Sequence, residues 1–158
     1  MIVVSDTSPL NYLILIHQVE LLPQLFGRVA TPSAVIAEML HHHAPSAVKA
    51  WATSPPAWLE ILEPTTIPVE ASLGPGESAA IALAMQLHAD LLLLDERKAI
   101  NAARRQGLAV VGMLAVLDLA AERQLISLAN VIDRLRATTF RMPEAVVREL
   151  LRRDADRP

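Results

Sequence analysis

The sequence predicts a three-layer α/β/α fold, in which a parallel sheet lies between two layers of helices. Two short apolar runs, Ile2–Ser5 and Asp90–Leu94, are typical of strands that are buried on both faces. Helical patterns separate each predicted strand from the next, and parallel strands need such crossovers. A chain of 158 residues that is 53% hydrophobic can form one domain around a core.

Five runs are predicted strands because they are short, apolar and bounded by polar or turn-forming residues. They are Ile2–Ser5, Arg28–Ala30, Trp58–Leu62, Asp90–Leu94 and Ala109–Gly112. Helices are predicted between these strands and after the last one. In chain order they are Pro9–Ile16, Glu20–Phe26, Ser33–His42, Ala44–Thr53, Glu77–His88, Glu96–Gln106, Leu114–Arg123, Ser127–Thr138 and Pro143–Arg153. The longest predicted irregular segment is Pro64–Pro75.

Two helix starts are predicted from a hydroxyl residue followed by proline, because a capping hydroxyl and a proline suit the first turn. Ser8-Pro9 marks the first helix and Thr31-Pro32 the third. The last predicted helix, Pro143–Arg153, carries an apolar stripe that either packs on its own domain or faces a partner. The stripe consists of Val146, Val147, Leu150 and Leu151.

Composition narrows the class of protein. The chain has no cysteine, which excludes disulfides and thiolate metal sites and indicates a reducing cytoplasm. We find no signal peptide and no apolar run long enough to cross a bilayer. The net charge of −3 excludes the overall positive charge that is expected of a nucleic-acid-binding protein. Twelve of the fourteen basic residues are arginine, which suits phosphate binding but would also follow from a GC-rich genome.

Four carboxylates are expected to gather at one edge of the sheet. Asp6 follows the first predicted strand and Asp95 lies at the end of the fourth, while Glu38 and Glu77 lie near the starts of helices. In open α/β sheets, ligands bind beyond the carboxyl ends of the strands. Acids brought together there stay ionised most easily around a cation, and oxygen ligands favour Mg²⁺ or Mn²⁺. The pattern indicates metal-assisted chemistry on a phosphate-bearing substrate.

Three of these acids also have a structural explanation that involves no metal site. Glu38 resembles a surface residue at the edge of an apolar stripe. Glu77 suits the positive end of its helix dipole, and Asp95 suits the cap of the next helix. Asp6 is the exception, because Ser8 is the better predicted cap. The occurrence of all four acids at two strand ends and two helix starts is the stronger argument for a site.

Four short motifs occur in order within residues 1–125. They are Ser5-Asp6-Thr7-Ser8-Pro9-Leu10, Pro32-Ser33 with Val35 and Glu38, Gly76-Glu77-Ser78-Ala79-Ala80-Ile81-Ala82-Leu83-Ala84, and Leu93-Leu94-Asp95-Glu96. Together they resemble the PIN-domain family, most closely the VapC-like toxins of toxin–antitoxin modules. The resemblance implies a five-stranded sheet of order 3-2-1-4-5. It also implies a PIN-like catalytic domain over 1–125, and we expect 126–158 to be a helical extension packed on it.

The resemblance further implies an endoribonuclease that depends on Mg²⁺ or Mn²⁺. Asp6, Glu38, Glu77 and Asp95 would be both catalytic residues and metal ligands, with Ser8 orienting a carboxylate or a metal-bound water. Candidates for contacts with the RNA backbone are Arg97, Arg104 and Arg105. Family resemblance also implies a small antitoxin protein and a homodimer as partners, besides the RNA substrate.

Two alternatives remain open at this stage. A glutamate at position 77, where the family more often has aspartate, leaves open a catalytically weak module that binds RNA or a protein. A receiver-like or phosphatase-like domain would need a lysine beside Asp6, and the chain has only Lys49 and Lys98. The run His41-His42-His43 is predicted to end a helix, where three successive rings would point in different directions and could not share one ion.

Overall fold

The computed structural model describes residues 1–66 and 72–158, so part of the predicted irregular segment Pro64–Pro75 lies outside the described residues. Five parallel strands form a single sheet of order β3-β2-β1-β4-β5. They are β1 (Ile2–Ser5), β2 (Arg28–Pro32), β3 (Leu59–Leu62), β4 (Leu91–Leu93) and β5 (Val110–Val111). The predicted parallel sheet and its strand order are confirmed. The central strand β1 pairs Val4 with Ala30 on one side and with Leu92 on the other.

Helices follow the strands much as predicted, with ends that shift by a few residues. The described part of the chain contains α1 (Thr7–Leu15), α2 (Leu21–Leu25), α3 (Ser33–Met39), α4 (Ser46–Thr53), α5 (Pro75–Gln86), α6 (Arg97–Arg105), α7 (Met113–Glu122), α8 (Leu128–Arg136) and α9 (Glu144–Ala155). No helix among these residues is long and apolar enough to cross a membrane.

The hydroxyl–proline capping argument is wrong at both helices, although α3 begins at the predicted residue, Ser33. Helix α1 begins at Thr7, with Asp6 rather than Ser8 at its N-cap position. Thr31 and Pro32 are the last residues of β2, where Pro32 pairs with Leu62. The buried hydroxyl of Thr31 donates a hydrogen bond to the Ser5 carbonyl at 2.8 Å. Pairing with neighbouring strands therefore extends β2 through residues that a local capping rule assigns to a helix.

Helix α3 is shorter than predicted and ends at Met39. The three histidines that follow lie in a turn, in which the His41 N–H donates to the Glu38 carbonyl at 3.2 Å and the Ala44 N–H donates to the His41 carbonyl at 2.9 Å. The prediction that His41-His42-His43 continues the helix is therefore wrong, and so is the argument that the three rings must diverge.

Two hydrophobic clusters cover the two faces of the sheet. Alternate strand residues belong to different clusters, as Val3 and Val4 do. Helices α5 and α6 cover the Val4 face with small residues, among them Ala80, Ala84 and Ala103. Because alanine side chains are short, these helices approach the sheet closely. The remaining helices pack on the Val3 face.

The C-terminal helices pack on the same core as the sheet. Val147 and Leu150 of α9 are buried in the cluster that contains Val3, whereas Val146 is 45% exposed. Most of the predicted apolar stripe therefore packs on its own domain. Helix α8 contributes residues to the same cluster, namely Leu128, Val131, Ile132 and Leu135.

Candidate functional site

The carboxyl edge of the sheet brings the predicted acids together. Strands β1 and β4 are neighbours, with Ser5 opposite Leu93, and the Asp6 N–H donates to the Leu93 carbonyl at 3.1 Å. Asp6 and Asp95 therefore follow adjacent strand ends. Helix α3 leaves this edge after β2, and α5 begins at it before running back toward the start of β4. Glu77 therefore lies near this edge, in the first turn of α5. Glu38 lies in the last turn of the seven-residue helix α3, not near its start as predicted, and it reaches α5 through the Gly76 N–H.

Asp6 is the most buried carboxylate of the group. It is 4% exposed, and within the described chain its buried Oδ1 atom has no hydrogen-bond partner. Burial raises the pKa of Asp6 to about 7, an effect that the Thr7 backbone N–H opposes and that the charges of Glu38, Glu77 and Asp95 increase. The other three acids therefore act electrostatically on Asp6, and together with burial they disfavour its ionised form.

Capping does not account for Asp6. Although it occupies the N-cap position of α1, its side chain makes no capping hydrogen bond. Asp6 was predicted to be a site residue because Ser8 was expected to cap α1, and Ser8 is not the cap. A different observation supports Asp6 as a site residue: within the described chain, its buried Oδ1 atom has no hydrogen-bond partner.

Glu38 is held by two hydrogen bonds from distant parts of the chain. The Thr7 hydroxyl donates to Oε2 at 2.5 Å, and the Gly76 N–H donates to Oε1 at 2.9 Å. A Cβ atom at position 76 would lie 2.5 Å from Oε1, so any residue larger than glycine would force the Glu38 carboxylate to shift. Neither partner of Glu38 was predicted from the sequence, because both are distant from it in the chain.

Glu77 lies in the first turn of α5, and its pKa is raised. Burial is the main cause, and the charges of Glu96 and Glu38 add to it. A backbone hydrogen bond from Gly74, the N-cap residue, lowers the pKa. That bond is half of a capping box, in which a side chain in the first turn accepts from the cap residue. Glu77 therefore has both a capping role and a position within the acidic group.

Asp95 is anchored by the start of another helix. Glu96, rather than Asp95, caps α6 by accepting from the Ala99 N–H at 3.1 Å. The Met113 N–H donates to Asp95 at 3.0 Å (Oδ1) and 3.3 Å (Oδ2). A Cβ atom at Gly112 would lie 2.7 Å from Oδ1, so this glycine leaves room for the carboxylate. Burial raises the pKa of Asp95, and the Met113 N–H lowers it.

The other predicted site residues differ in how near they lie to the four acids. Ser8 is half-buried in the first turn of α1, but the hydroxyl that bonds to Glu38 belongs to Thr7. Arg97 is the first residue of α6 and lies at the edge that carries the acids. Arg104 and Arg105 are in the last turn of α6, which runs back toward the start of β5. The structure does not bring these two arginines to the carboxylates.

The donor set fits a hard divalent cation. All four side chains offer carboxylate oxygens, and the Asp6 Oδ1 atom is buried without a partner, as expected of a ligand without its ion. In residues 1–66 and 72–158, no three His, Cys, Asp or Glu side chains are arranged to hold an ion between them. Coordination by three of the acids at once therefore requires side-chain movement.

Comparisons with known proteins identify the family and support the fold of the chain. The family DUF3368, described as a PIN domain, matches residues 2–156, a range that includes α8 and α9. Among solved structures, the chain is similar to a PilT N-terminus domain protein, SSO1118, from the archaeon Sulfolobus solfataricus P2. The TM-score is 0.52 at 17% identity, over 73% of this chain and 90% of that one, which supports the fold alone. No curated protein matches significantly. Since the family match covers nearly the whole sequence, the chain belongs to the PIN-domain family.

Proposed function

We propose that this protein is a divalent-metal-dependent endoribonuclease that hydrolyses RNA phosphodiester bonds. Membership of the PIN-domain family supports a nuclease at a coarse level. The observation that carries the finer proposal is the buried Asp6 carboxylate, whose Oδ1 atom has no partner in the described chain and whose pKa is raised to about 7 beside three further acids. Such a group is costly to keep charged without a cation.

Mg²⁺ or Mn²⁺ would be held by Asp6, Glu38, Glu77 and Asp95. When bound, the ion would lower the pKa of a coordinated water and polarise the scissile phosphodiester. Neighbouring residues of the chain would hold these carboxylates in position. Thr7 and Gly76 hold Glu38, and the Met113 N–H holds Asp95. These outer contacts orient the ligands and tune their basicity.

Contacts with the substrate are assigned to residues near the acids. Ser8 would orient a carboxylate or a water, and Arg97 would contact a phosphate next to the cleaved bond. Arg104 and Arg105, at the far end of α6, would contact only a strand that continues around this helix. A matching pair of variants, Arg97→Gln and Arg104→Gln, separates these roles, because only Arg97→Gln should weaken cleavage of short RNA.

The direct test is cleavage of single-stranded RNA by purified protein with Mn²⁺, with and without EDTA. Asp6→Asn should lose cleavage while its circular dichroism spectrum stays that of the wild type. A folded Asp6→Asn variant that cuts RNA at the wild-type rate would overturn the proposal or reveal a contaminating nuclease. Repeating the assay after a second purification on a different column distinguishes these two outcomes.

We also propose that the protein is the toxin of a toxin–antitoxin pair, acting in the cytoplasm as a homodimer. The motif resemblance to VapC-like toxins and the absence of cysteine support this biology. Residues 1–125 would be the catalytic part and residues 126–158 an extension packed on it. Induced expression should stop growth of a bacterial host, and Asp6→Asn should not. A small open reading frame beside this one should relieve the arrest when expressed with it.

A second candidate is a catalytically weak PIN module that binds RNA or a partner protein. Glu77 favours this candidate, because its carboxylate accepts from the Gly74 backbone and so already serves as a cap. Glu77→Asp distinguishes the two functions. Higher cleavage in Glu77→Asp than in the wild type would indicate a weakened site, whereas lower cleavage would indicate that glutamate is the ligand suited to this chain.

A further inference from the structure

A cavity of about 310 Å³ opens beside Glu38, one of the four acids. Two residues of the candidate site, Thr7 and Glu38, form part of its wall, so a ligand in the cavity would lie next to the acids. Its volume is at the lower end of the range for small-molecule sites. The other lining residues are Asn11, Met39, His41, His43, Ala44 and Pro45.

The imidazole rings of His41 and His43 form one wall of the cavity, and the His42 ring lies against both of them. The ring centroids of His41 and His42 are 4.2 Å apart, and those of His42 and His43 are 4.0 Å apart. The His43 backbone N–H donates to Nδ1 of His41 at 3.2 Å, which fixes the position of the His41 ring. The His41 and His43 rings therefore present aromatic surface to the cavity.

The remaining lining combines one amide with apolar surface. Asn11 supplies a side chain that both donates and accepts, and Met39 and Pro45 supply apolar contacts. Flat rings, an amide and an apolar floor are what proteins use to bind an unstacked base of single-stranded RNA, in which aromatic side chains, histidine included, stack on the base and polar groups read its edge.

A second cavity lies next to the first along helix α1. Thr7, Asn11 and Leu15 are four residues apart and share one face of α1; Thr7 and Asn11 line the first cavity, and Leu15 lines the second. Pro45 lines both cavities, and the second has a volume of about 530 Å³. At its far end, an Nη1 atom of Arg134 donates to the Ile16 carbonyl at 3.3 Å, which fixes a cation at the surface.

We propose that the histidine-walled cavity binds a nucleobase of single-stranded RNA, adjacent to the phosphodiester that the carboxylates face. The strand then runs along α1, past Asn11 and Leu15, toward Arg134, which contacts a backbone phosphate. This inference rests on the proposed function, because it names the position of that substrate. A nucleobase is favoured over a peptide because the cavity shares Glu38 with the acidic group and is walled by the rings of His41 and His43.

The test uses a short fluorescein-labelled RNA and measures its affinity by anisotropy in an Asp6→Asn background, which prevents cleavage during titration. His43→Ala and Asn11→Ala should each weaken binding by about tenfold, the effect expected for a lost stacking partner or base contact. Arg134→Gln should reduce the salt dependence of binding. His88→Ala is the matched control, since this histidine is exposed at the end of α5 and should leave affinity unchanged.

A second arm uses oligonucleotides with one abasic position, moved along the strand. At one position, loss of the base should weaken binding to the parent about tenfold and should have little further effect on His43→Ala. If His43→Ala and Asn11→Ala bind every oligonucleotide as the parent does, the base site is refuted, and a protein ligand becomes the candidate occupant of the cavity.

The two proposals fail in distinguishable ways. If wild-type protein does not cut RNA but the cavity variants lose affinity, the nuclease proposal fails and the base site stands. If wild-type protein cuts RNA and the cavity variants bind and cut normally, only the base site fails. If the wild type does not cut RNA and the Asp6→Asn parent does not bind it, both are overturned.

Discussion

The Glu38 carboxylate occupies the space that a side chain at position 76 would fill. A Cβ atom on Gly76 would lie 2.5 Å from Glu38 Oε1 and 2.7 Å from Oε2, while the Gly76 N–H donates to Oε1. One glycine therefore both provides the donor and leaves the room for the acid. This contact joins helices α3 and α5 at the candidate metal site.

The first prediction follows from this contact. Gly76→Ala should displace Glu38 and reduce Mn²⁺-dependent cleavage by at least about tenfold, the usual cost of losing a group that orients a metal ligand. Away from such contacts, glycine to alanine in a helix stabilises by about 1 kcal/mol, so a loss of activity would not be explained by poor helix formation. Single-turnover cleavage measures the effect.

Gly74→Ala is the control for this variant. It lies at the cap of the same helix, and a Cβ atom there would meet nothing within 4 Å. Its cleavage rate should stay close to that of the wild type. Equal activity of Gly76→Ala and wild type would contradict the assigned role of Glu38.

The second prediction concerns the Thr7 hydroxyl, which donates to Glu38 Oε2. Thr7→Val keeps the shape but removes the donor, and it should weaken Mn²⁺ binding by about 10- to 100-fold. Thr7→Ser keeps the hydroxyl and should bind Mn²⁺ nearly as the wild type does. Isothermal titration calorimetry measures both affinities, and similar affinities for the two variants would show that the hydrogen bond is unimportant.

The third prediction is a pH dependence of stability without metal. The folded-state pKa of Asp6 is about 7, well above its ordinary value of 3.8. The folded protein therefore binds this proton more tightly than the unfolded chain does, and the free energy of unfolding falls as pH rises from about 4 through about 7. At about 1.4 kcal/mol per pKa unit, the loss approaches roughly 4 kcal/mol.

Asp6→Asn removes the charge and should therefore stabilise the protein in EDTA at pH 8 but not at pH 4. Urea unfolding at the two pH values measures the difference. Asp133→Asn, at an exposed position on α8, is the control and should show no such dependence. An equal effect of Asp6→Asn at both pH values would mean that the Asp6 pKa is not raised.

The fourth prediction is stabilisation by a cation. Mg²⁺ or Mn²⁺ should raise the melting temperature, because a bound cation neutralises carboxylates that otherwise repel one another. Asp6→Asn combined with Asp95→Asn should remove most of this rise. The same metal-induced shift in the double variant would place the binding site elsewhere on the protein.

The fifth prediction is association into a homodimer. Val146, Leu40 and Leu125 each leave at least 41% of their surface exposed, although most of the α9 stripe is buried within its own domain. A specific dimer interface needs at least about 1,000 Å² of buried surface. Light scattering at micromolar concentration should give twice the chain mass of 17.2 kDa. A single-chain mass maintained up to millimolar concentration would exclude the dimer.

Much of the fold was accessible from local patterns in the sequence. The short apolar runs around Val3 and Leu92 and the helical patterns between strands predicted a parallel sheet, because periodicity and chain order are local properties. The positions of Asp6 and Asp95 at strand ends predicted that both lie at one edge of the sheet, and the strand order implied by the family resemblance made their strands neighbours. Adjacent parallel strands must bring their carboxyl ends to one edge.

Only the tertiary structure decided how each acid is held. The bonds from Thr7 and Gly76 to Glu38 join residues that are 31 and 38 positions apart in the chain. No local propensity encodes such contacts, since they depend on how α1, α3 and α5 pack together. For the same reason Thr31 joined β2 despite its capping signal, because a hydrogen bond to the Ser5 carbonyl and pairing with β3 outweighed a local preference.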